Sequence, residues 1–498
     1  MNIRSVGDSV SNVKADVLVV FVHGAARRDA AVKELNAALG GRLLKQAKAQ
    51  AFEGKPAEIC AIYAGDSIKA GHVLLMGAGE ADAFDVASLR DLGAEAIRAA
   101  ARLGAKVVAF SLPRAVADDR EHAIELLTQG ARLAAYRFDT YREVSKKPPL
   151  SVGDVKLLAG APGKGKGGKA VQAAIRRGEI IAEAVANARD FINTPAADMT
   201  PSRLASEARA LAKKHGFTAK VLGAVECKRL GMGMFLGVAQ GSEQEPKLIH
   251  LTYKPKTKPK RRIALVGKGI MFDTGGYSIK PTAGMLDMKG DMAGSGVVVA
   301  AMGALAALNV PYEVHAIAAC CENMISGEAY RPSDILKAMD GTTVEITNTD
   351  AEGRLTLGDA ITYAREKVEP DEIFDFATLT GACMVALGQY TAAVLTDDDD
   401  LAARWLKAST AAGEDMWRLP LNERLGEQLK SPVADLKNAG DRWGGTITAG
   451  LFLKHFAKDS RWVHVDIAGP AMAAREQGAW AQGGTGFPVA TIAEYLRD

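Results

Sequence analysis

Along the first 160 residues, short β-branched runs alternate with longer segments whose apolar residues recur at helical spacing. DVLVVFV (16–22) predicts a strand, and the Ala-, Leu- and Lys-rich stretch 28–50 predicts a helix. Segments 58–63, 72–76 and 106–110 predict further strands. Segments 86–103 and 120–136 predict helices, the first with Asp85 as N-cap. GAPGKGKGGK (160–169) has no apolar spacing and reads as an exposed linker. A helical stretch over 170–191 follows and ends at Asn193-Thr194-Pro195. The basic turn KPKTKPKRR (254–262) then precedes an apolar strand at 263–266. Alternation resumes from there, with strands at 312–318, 343–347, 372–378 and 462–465. The pattern predicts an α/β fold of two domains. A smaller N-terminal α/β domain spans 1–160 and a linker with a connecting helix spans 161–192. A larger C-terminal α/β domain spans 193–498, with a mixed central sheet flanked by helices.

Composition narrows the class. The chain has 498 residues, 48% of them hydrophobic, enough for large cores and incompatible with a disordered protein. Lys and Arg number 62 against 59 Asp and Glu, so overall charge gives no case for a nucleic-acid or membrane-surface protein. Five cysteines exclude a disulfide scaffold. None forms a CxxC pair, and Cys320, Cys321 and Cys383 read as core residues in a reducing compartment. The apolar stretch 297–310 is shorter than the ~20 residues that span a bilayer and predicts a buried core helix. Asp8 and Asp16 before the run 17–22 do not suit a signal peptide, so a cytoplasmic protein is expected.

Several local patterns fail on inspection. GKGKGGKA (163–170) nearly matches a phosphate-binding loop, but Ala170 stands where a Ser or Thr hydroxyl must reach Mg²⁺. Gly267-Lys268-Gly269 begins a dinucleotide fingerprint whose third glycine position is Phe272. HExxH and GxSxG are absent, and no two histidines stand at ligand spacing. The run Asp397–Asp400 lacks the spacing and glycine of a calcium loop and reads as a solvated turn capping a helix.

Two segments carry residues that folding alone does not explain. GKGIMFDTGGYSIKPTAGMLDMKGD (267–291) places Lys268, Asp273, Lys280, Asp287, Lys289 and Asp291 among glycines and apolar residues after a strand. ITNTDAEGRL (346–355), if extended, puts Asp350, Glu352 and Arg354 on one face. Carboxylates aimed at one point repel unless a cation lies between them. Four of them (Asp273, Asp291, Asp350, Glu352) can neutralise two divalent ions, and such a pair can activate a hydroxide and polarise a carbonyl. A lysine ligand would have to be neutral, while a charged lysine could stabilise an oxyanion. Spacing does not say which lysine does which.

GKGIMFDTGGYSIKP, DMKGDMAGSG and NTDAEGRL resemble the signatures of the leucyl aminopeptidase family, of the cytosol aminopeptidase type. So do NMISGEAYRPSDI (323–335), FATLTGAC (376–383), GGTITAGLFL (444–453) and HVDIAGPA (464–471). The resemblance covers most of residues 180–498. It implies a binuclear metallo-aminopeptidase that releases N-terminal residues, leucine among them, by attack of a metal-bridging hydroxide. It implies Lys268, Asp273, Asp291, Asp350 and Glu352 as metal ligands, with Asp273 and Glu352 touching both ions. Mn²⁺ or Zn²⁺ is expected, with Mg²⁺ or Co²⁺ as alternatives. Lys280 falls at the catalytic lysine, and Arg354 at the catalytic arginine that holds a bicarbonate ion as general base. Met288, Thr378, Leu379 and Gly381 match positions around the substrate side-chain pocket. Met288, Thr378 and Leu379 are equally well explained by packing. A homo-hexamer acting on peptides, away from membranes, is the implied assembly. Thr274, Tyr277, Ser295 and Gly296 depart from the family's commonest wording without touching a ligand position. The alternative reading is a DNA-binding protein using the basic segments 163–169 and 254–262; a catalytically dead scaffold ranks last, because the ligand positions are filled.

Overall fold

The computed structural model describes residues 1–24, 29–143, 150–160 and 166–497. They form two units, Met1–Ala182 with Arg475–Ala481, and Glu183–Ala474 with Gln482–Asp498. In the first, the β-branched runs become six strands: β1 (Asn2–Ser5), β2 (Ala15–Val22), β3 (Ile59–Tyr63), β4 (Ala70–Gly77), β5 (Val107–Ser111) and β6 (Asp154–Leu158). Their order is β1-β6-β5-β2-β4-β3, all parallel except β3 on β4. Leu18, Val20, Val73 and Leu75 form the middle of one core layer. The helix expected over 28–50 is two helices, Ala30–Ala38 and Arg42–Ala49, because the chain turns at Gly40-Gly41; Arg28 lies outside the described residues. Asp85 caps a 3₁₀ turn, Val86–Ser88, that runs into the helix Leu89–Arg102. Of the expected linker, 161–165 lie outside the described residues, while Lys166–Lys169 open a helix that continues to Asn193. A long helix propagates cheaply into flanking residues once nucleated, which composition alone does not reveal.

The second unit is built on an eight-stranded sheet. Its strands are β7 (Thr218–Leu222), β8 (Lys247–Tyr253), β9 (Arg262–Asp273), β10 (Glu313–Asn323), β13 (Glu372–Ala377), β14 (Ala392–Leu395), β15 (Met416–Arg418) and β17 (Trp462–Asp466). A small sheet of β11 (Ile335–Lys337), β12 (Thr343–Glu345) and β16 (Leu436–Lys437) lies apart from it in the hydrogen-bond pattern. The main order is β15-β14-β17-β13-β9-β10-β8-β7, parallel over β17, β13, β9 and β10 and antiparallel at β8, β7 and the β14–β17 pair. The mixed sheet agrees with the sequence pattern. β9 does not. It extends seven residues past the expected end at 266, so that Lys268 and Asp273 are strand residues rather than loop residues. It is flanked by parallel neighbours on both sides, and those pairings hold glycine-containing backbone extended where its composition reads as loop.

The glycines of β9 serve a close approach. A Cβ on Gly267 would lie 2.6 Å from the Gly294 backbone, and one on Gly294 would lie 2.0 Å from the Phe376 carbonyl. The helix Ala293–Leu308 therefore sits on β9 and β13 at backbone contact, and the Ser295 hydroxyl donates to the Gly267 carbonyl at 2.9 Å. The segment Thr282–Leu308 is long and apolar enough to cross a membrane, but 89% of its apolar window is buried inside the fold. It is the core helix that the apolar run at 297–310 predicts. Asp398 caps the helix Asp399–Ala412, as the acidic run suggests.

Gly294→Ala should lower unfolding stability by about 1–3 kcal/mol, the usual cost of overpacking a core. Urea denaturation followed by circular dichroism measures it, and a midpoint equal to wild type would contradict the contact.

Candidate active site

Three chain segments converge at the C-terminal ends of the parallel strands, where open α/β sheets place their sites. β9 carries Lys268 and Asp273, and the tight turn after it carries Lys280. Gly275, at φ +85°, forms that turn; a Cβ there would meet Ser278 O at 2.5 Å and Asp350 Oδ1 at 2.9 Å. A 3₁₀ turn, Met288–Met292, delivers Asp291. The third segment is not extended. After β12 the chain turns at Asn348–Asp350, and Glu352 is the N-cap of the helix Gly353–Tyr363. Asp350 and Glu352 come together through this turn and helix start, not by strand alternation, while Arg354 enters the first helical turn. The Glu352 side chain makes no capping hydrogen bond; it turns to Lys268, and a period-two reading does not anticipate a helix starting there.

The resulting cluster is tight. The Lys268 ammonium lies 2.7 Å from Asp291 Oδ1 and 2.9 Å from Glu352 Oε1, and donates to Thr378 O at 3.0 Å. The Lys280 ammonium lies 2.9 Å from Asp273 Oδ2 and also pairs with Asp350. Asp273, Asp350 and Glu352 each offer an oxygen within 4.8 Å of the others. The side chains of Lys268, Asp273, Asp291 and Glu352 are almost fully enclosed, whereas Asp350 is 32% and Lys280 19% exposed. The cluster therefore opens to solvent on the Lys280–Asp350 side.

Charge is under stress here. Burial and the neighbouring Glu352 push Asp273 up to about 6, against Lys268 and Lys280. Burial carries Asp291 well above the ordinary carboxylate range despite Lys268, and it raises Asp350 against Lys280. Burial opposes ionisation of Glu352 too, but Lys268 holds it below the usual range. Both lysines stay protonated: burial would lower them, and the surrounding carboxylates outweigh it. Asp291 Oδ2 is buried with no hydrogen-bond partner. Two ammonium groups thus leave this oxygen-rich cluster undercompensated. Hard divalent cations fit the donor set, with Lys268 able to ligate once deprotonated.

Arg354 is buried beside the cluster. Its Nη1 donates to Asn438 O at 2.9 Å, and Nε has no partner. Burial pushes it down to about 10, partly offset by Glu352 and Asp466. Among the described residues no carboxylate pairs with it, so it is a fixed cation able to accept a small anion. Thr378 donates its hydroxyl to Asp291 Oδ1 at 2.7 Å, which ties it to the carboxylate cluster. Leu379 packs partly buried against the main core, its N–H bound to Asp466 at 3.1 Å. Gly381 opens the helix Gly381–Leu387 with free space where a side chain would be, and Met288 is half-buried at the start of its 3₁₀ turn.

Sequence reasoning missed the residues that hold these groups in place. Asn323, fully buried, donates its amide to Asp273 Oδ1 at 2.8 Å and to Thr349 O at 3.0 Å. Thr349 is also fixed by Tyr330 OH, at 2.8 Å to its carbonyl, while its own hydroxyl donates to Gly275 O at 2.7 Å. Asp466 accepts from Leu379 N and the Thr380 hydroxyl. Asn323 and Asp466 each close an apolar strand, β10 and β17, and that position was the available signal.

Residues 186–493 match the model of the cytosol aminopeptidase family's catalytic domain, and residues 17–145 match that of its N-terminal domain. The chain belongs to the cytosol aminopeptidase family. It is 41% identical over 497 residues to a probable cytosol aminopeptidase of Alkaliphilus oremlandii, covering 99% of this chain and 98% of that one. It is 43% identical over 461 residues to one from a Synechococcus strain, covering 92% and 89%. Among solved structures it is similar to a tomato leucine aminopeptidase variant (TM-score 0.89, 33% identity, 100% of this chain and 96% of that one). It also resembles the bottromycin maturation enzyme BotP in complex with Mn (TM-score 0.83, 35% identity, 97% and 99%). This aminopeptidase is metal-dependent, a metallo-exopeptidase of two-domain α/β architecture.

Asn323→Ala should weaken divalent-metal affinity roughly 10–100-fold, as loss of a group orienting a ligand usually does; competition with a chromogenic chelator measures it, and unchanged affinity would remove Asn323 from this role. Because a cation must displace protons from the cluster, and Asp273 titrates near 6, Mn²⁺ affinity should rise as pH goes from 5 to 7. Calorimetry in buffers of different ionisation enthalpy should also show proton release, and a pH-independent affinity would refute the coupling.

Proposed function

We propose that the five side chains Lys268, Asp273, Asp291, Asp350 and Glu352 hold two divalent ions, Mn²⁺ or Zn²⁺ with Mg²⁺ or Co²⁺ as alternatives. The observation that carries this reading is the packing of all four carboxylates around two lysines in a site largely closed to water. Such ions supply Lewis acidity and lower the pKa of water. Lys280 lies at the exposed side of the cluster, its ammonium fixed by Asp273 and Asp350, and there it stabilises negative charge developing on the scissile carbonyl oxygen. A free, neutral α-amine would be a ligand for one of these ions, which suits release of N-terminal residues, leucine among them, from peptides.

Arg354 would hold a bicarbonate ion, which would supply a general base beside the cluster. A buried guanidinium without a carboxylate partner supports this assignment. Met288, Thr378, Leu379 and Gly381 border the side-chain pocket, with Thr378 also steadying Asp291. The protein acts in the cytoplasm as a homo-hexamer. Relatives named cytosol aminopeptidases support the first statement, and exposed Ile279, Leu286 and Val385 near the site segments support burial of this surface in an assembly. DNA binding has less support. In the segment 254–262, Lys254 and Arg262 face Glu313 at 3.4 Å, and Arg261 pairs with Glu372; residues 163–165 of the other basic segment lie outside the described residues.

Hydrolysis of leucyl-p-nitroanilide by chelator-stripped protein, with and without added Mn²⁺ or Zn²⁺, tests the proposal. Glu352→Ala should lose bound metal and activity together. Lys280→Ala should retain metal and lose roughly 10²–10³ in kcat, the usual size of a removed oxyanion donor. A Lys280→Ala enzyme with most of its activity would overturn the assigned role.

A further inference from the structure

The edge of the eight-stranded sheet bears a second recess, of about 580 Å³, none of whose lining residues belongs to the carboxylate cluster. On one wall Thr218, Lys220 and Leu222 alternate along β7, opposite Thr252, His250 and Leu248 of β8. The short helix Ala224–Arg229 adds Arg229, with Leu230 beside it; Tyr363 and Lys367 come from the end of the helix Gly353–Tyr363 and the turn after it.

Lys220, Arg229 and Lys367 are exposed side chains lining this one recess, and among the described residues none has an ion-pair partner. The lining includes one acid, Glu226, which accepts the Gly223 N–H at 3.1 Å at the start of its own helix, so three cations face a single carboxylate. The floor is polar but uncharged. His250 Nδ1 lies 3.1 Å from Tyr363 OH, and Nε2 lies 2.9 Å from His315 Nδ1, whose ring continues to Glu313 at 3.1 Å. Burial, helped by His315 and Lys220, pushes His250 down to about 4, so its imidazole is neutral at pH 7. Leu222 and Leu230 give the recess an apolar side.

Three uncommitted cations around a cavity of small-molecule size attract a multiply charged anion more strongly than a single carboxylate. We propose that this recess is a binding site for a small organic phosphate, its phosphate held by Lys220, Arg229 and Lys367 and its apolar part against Leu222 and Leu230. The site lies outside the peptidase machinery and does not depend on it.

Calorimetric titration of the full-length protein with phenyl phosphate, and with benzoate as the carboxylate control, tests this. Phenyl phosphate should bind saturably at one site per chain, at least tenfold tighter than benzoate. The double variant Lys220→Ala/Lys367→Ala and the single variant Arg229→Ala should each weaken it at least tenfold. Their leucyl-p-nitroanilide hydrolysis should stay at wild-type level, which reports intact folding. Absence of saturable binding, binding that survives these substitutions, or equal affinity for benzoate would each overturn the proposal.

Discussion

Four carboxylates held within a few ångströms of one another, nearly all of them out of water, are the constraint that organises the second unit. Isolated, such groups would repel and would each lose hydration worth several kcal/mol. The chain answers with two lysines placed between pairs of acids, Lys268 against Asp291 and Glu352, and Lys280 against Asp273 and Asp350. The compensation is incomplete, as the upward shifts of Asp273, Asp291 and Asp350 show. A cluster left in that condition is poised for cation binding, and the surrounding fold serves to keep it so.

Rigidity comes from backbone contact rather than from the charged groups themselves. The helix Ala293–Leu308 can lie against β9 only because Gly267 and Gly294 have no side chains, and that contact fixes the strand from which Lys268 and Asp273 project. Asn323 then links Asp273 to Thr349, and Thr349 links back to Gly275, so the strand end and the Asp350 turn move as one piece. A site built on strand ends and locked by such bonds holds its ligands at the precision that catalysis demands.

The chemistry was more legible in the sequence than the local geometry that produces it. Lys268, Asp273, Lys280, Asp291, Asp350, Glu352 and Arg354 stand out because charged residues are anomalous among glycines and apolar runs, and the structure brings them together. Their backbone did not follow from the same signals. Gly267 and Gly269 read as loop and predict a strand ending at 266, whereas pairing with β10 and β13 keeps that segment extended. Alternating charges over 346–355 imitate strand periodicity, whereas the chain turns there and Glu352 stands at the start of a helix. Asn323 and Asp466 lie in the family-like segments 323–335 and 464–471, but one neutral amide or one acid at a strand end has no charge pattern that assigns it a role. Their importance lies in hydrogen bonds to residues 50 and 87 positions away. In the first unit, periodicity sufficed for most elements, since strands such as β2 and β4 are decided by apolar runs alone.

The presence of lysine among the proposed metal ligands has an electrostatic consequence. Four carboxylates and two ammonium groups leave the cluster formally with two negative charges. Two divalent ions, with Lys268 giving up its proton to ligate, would turn that into one positive charge. With that proposed loading the sign of the site would reverse, from one that attracts cations to one that would favour anions such as the oxyanion of a reacting carbonyl. Arg354 adds a further fixed positive charge on the buried side, and the charge of Lys280, already in that total, lies on the exposed side. An all-carboxylate ligand set would hold ions as firmly but stay closer to neutrality. A neutral amine ligand therefore strengthens the field in which the peptide carbonyl must take on negative charge, and it does so without adding a group that competes for the substrate.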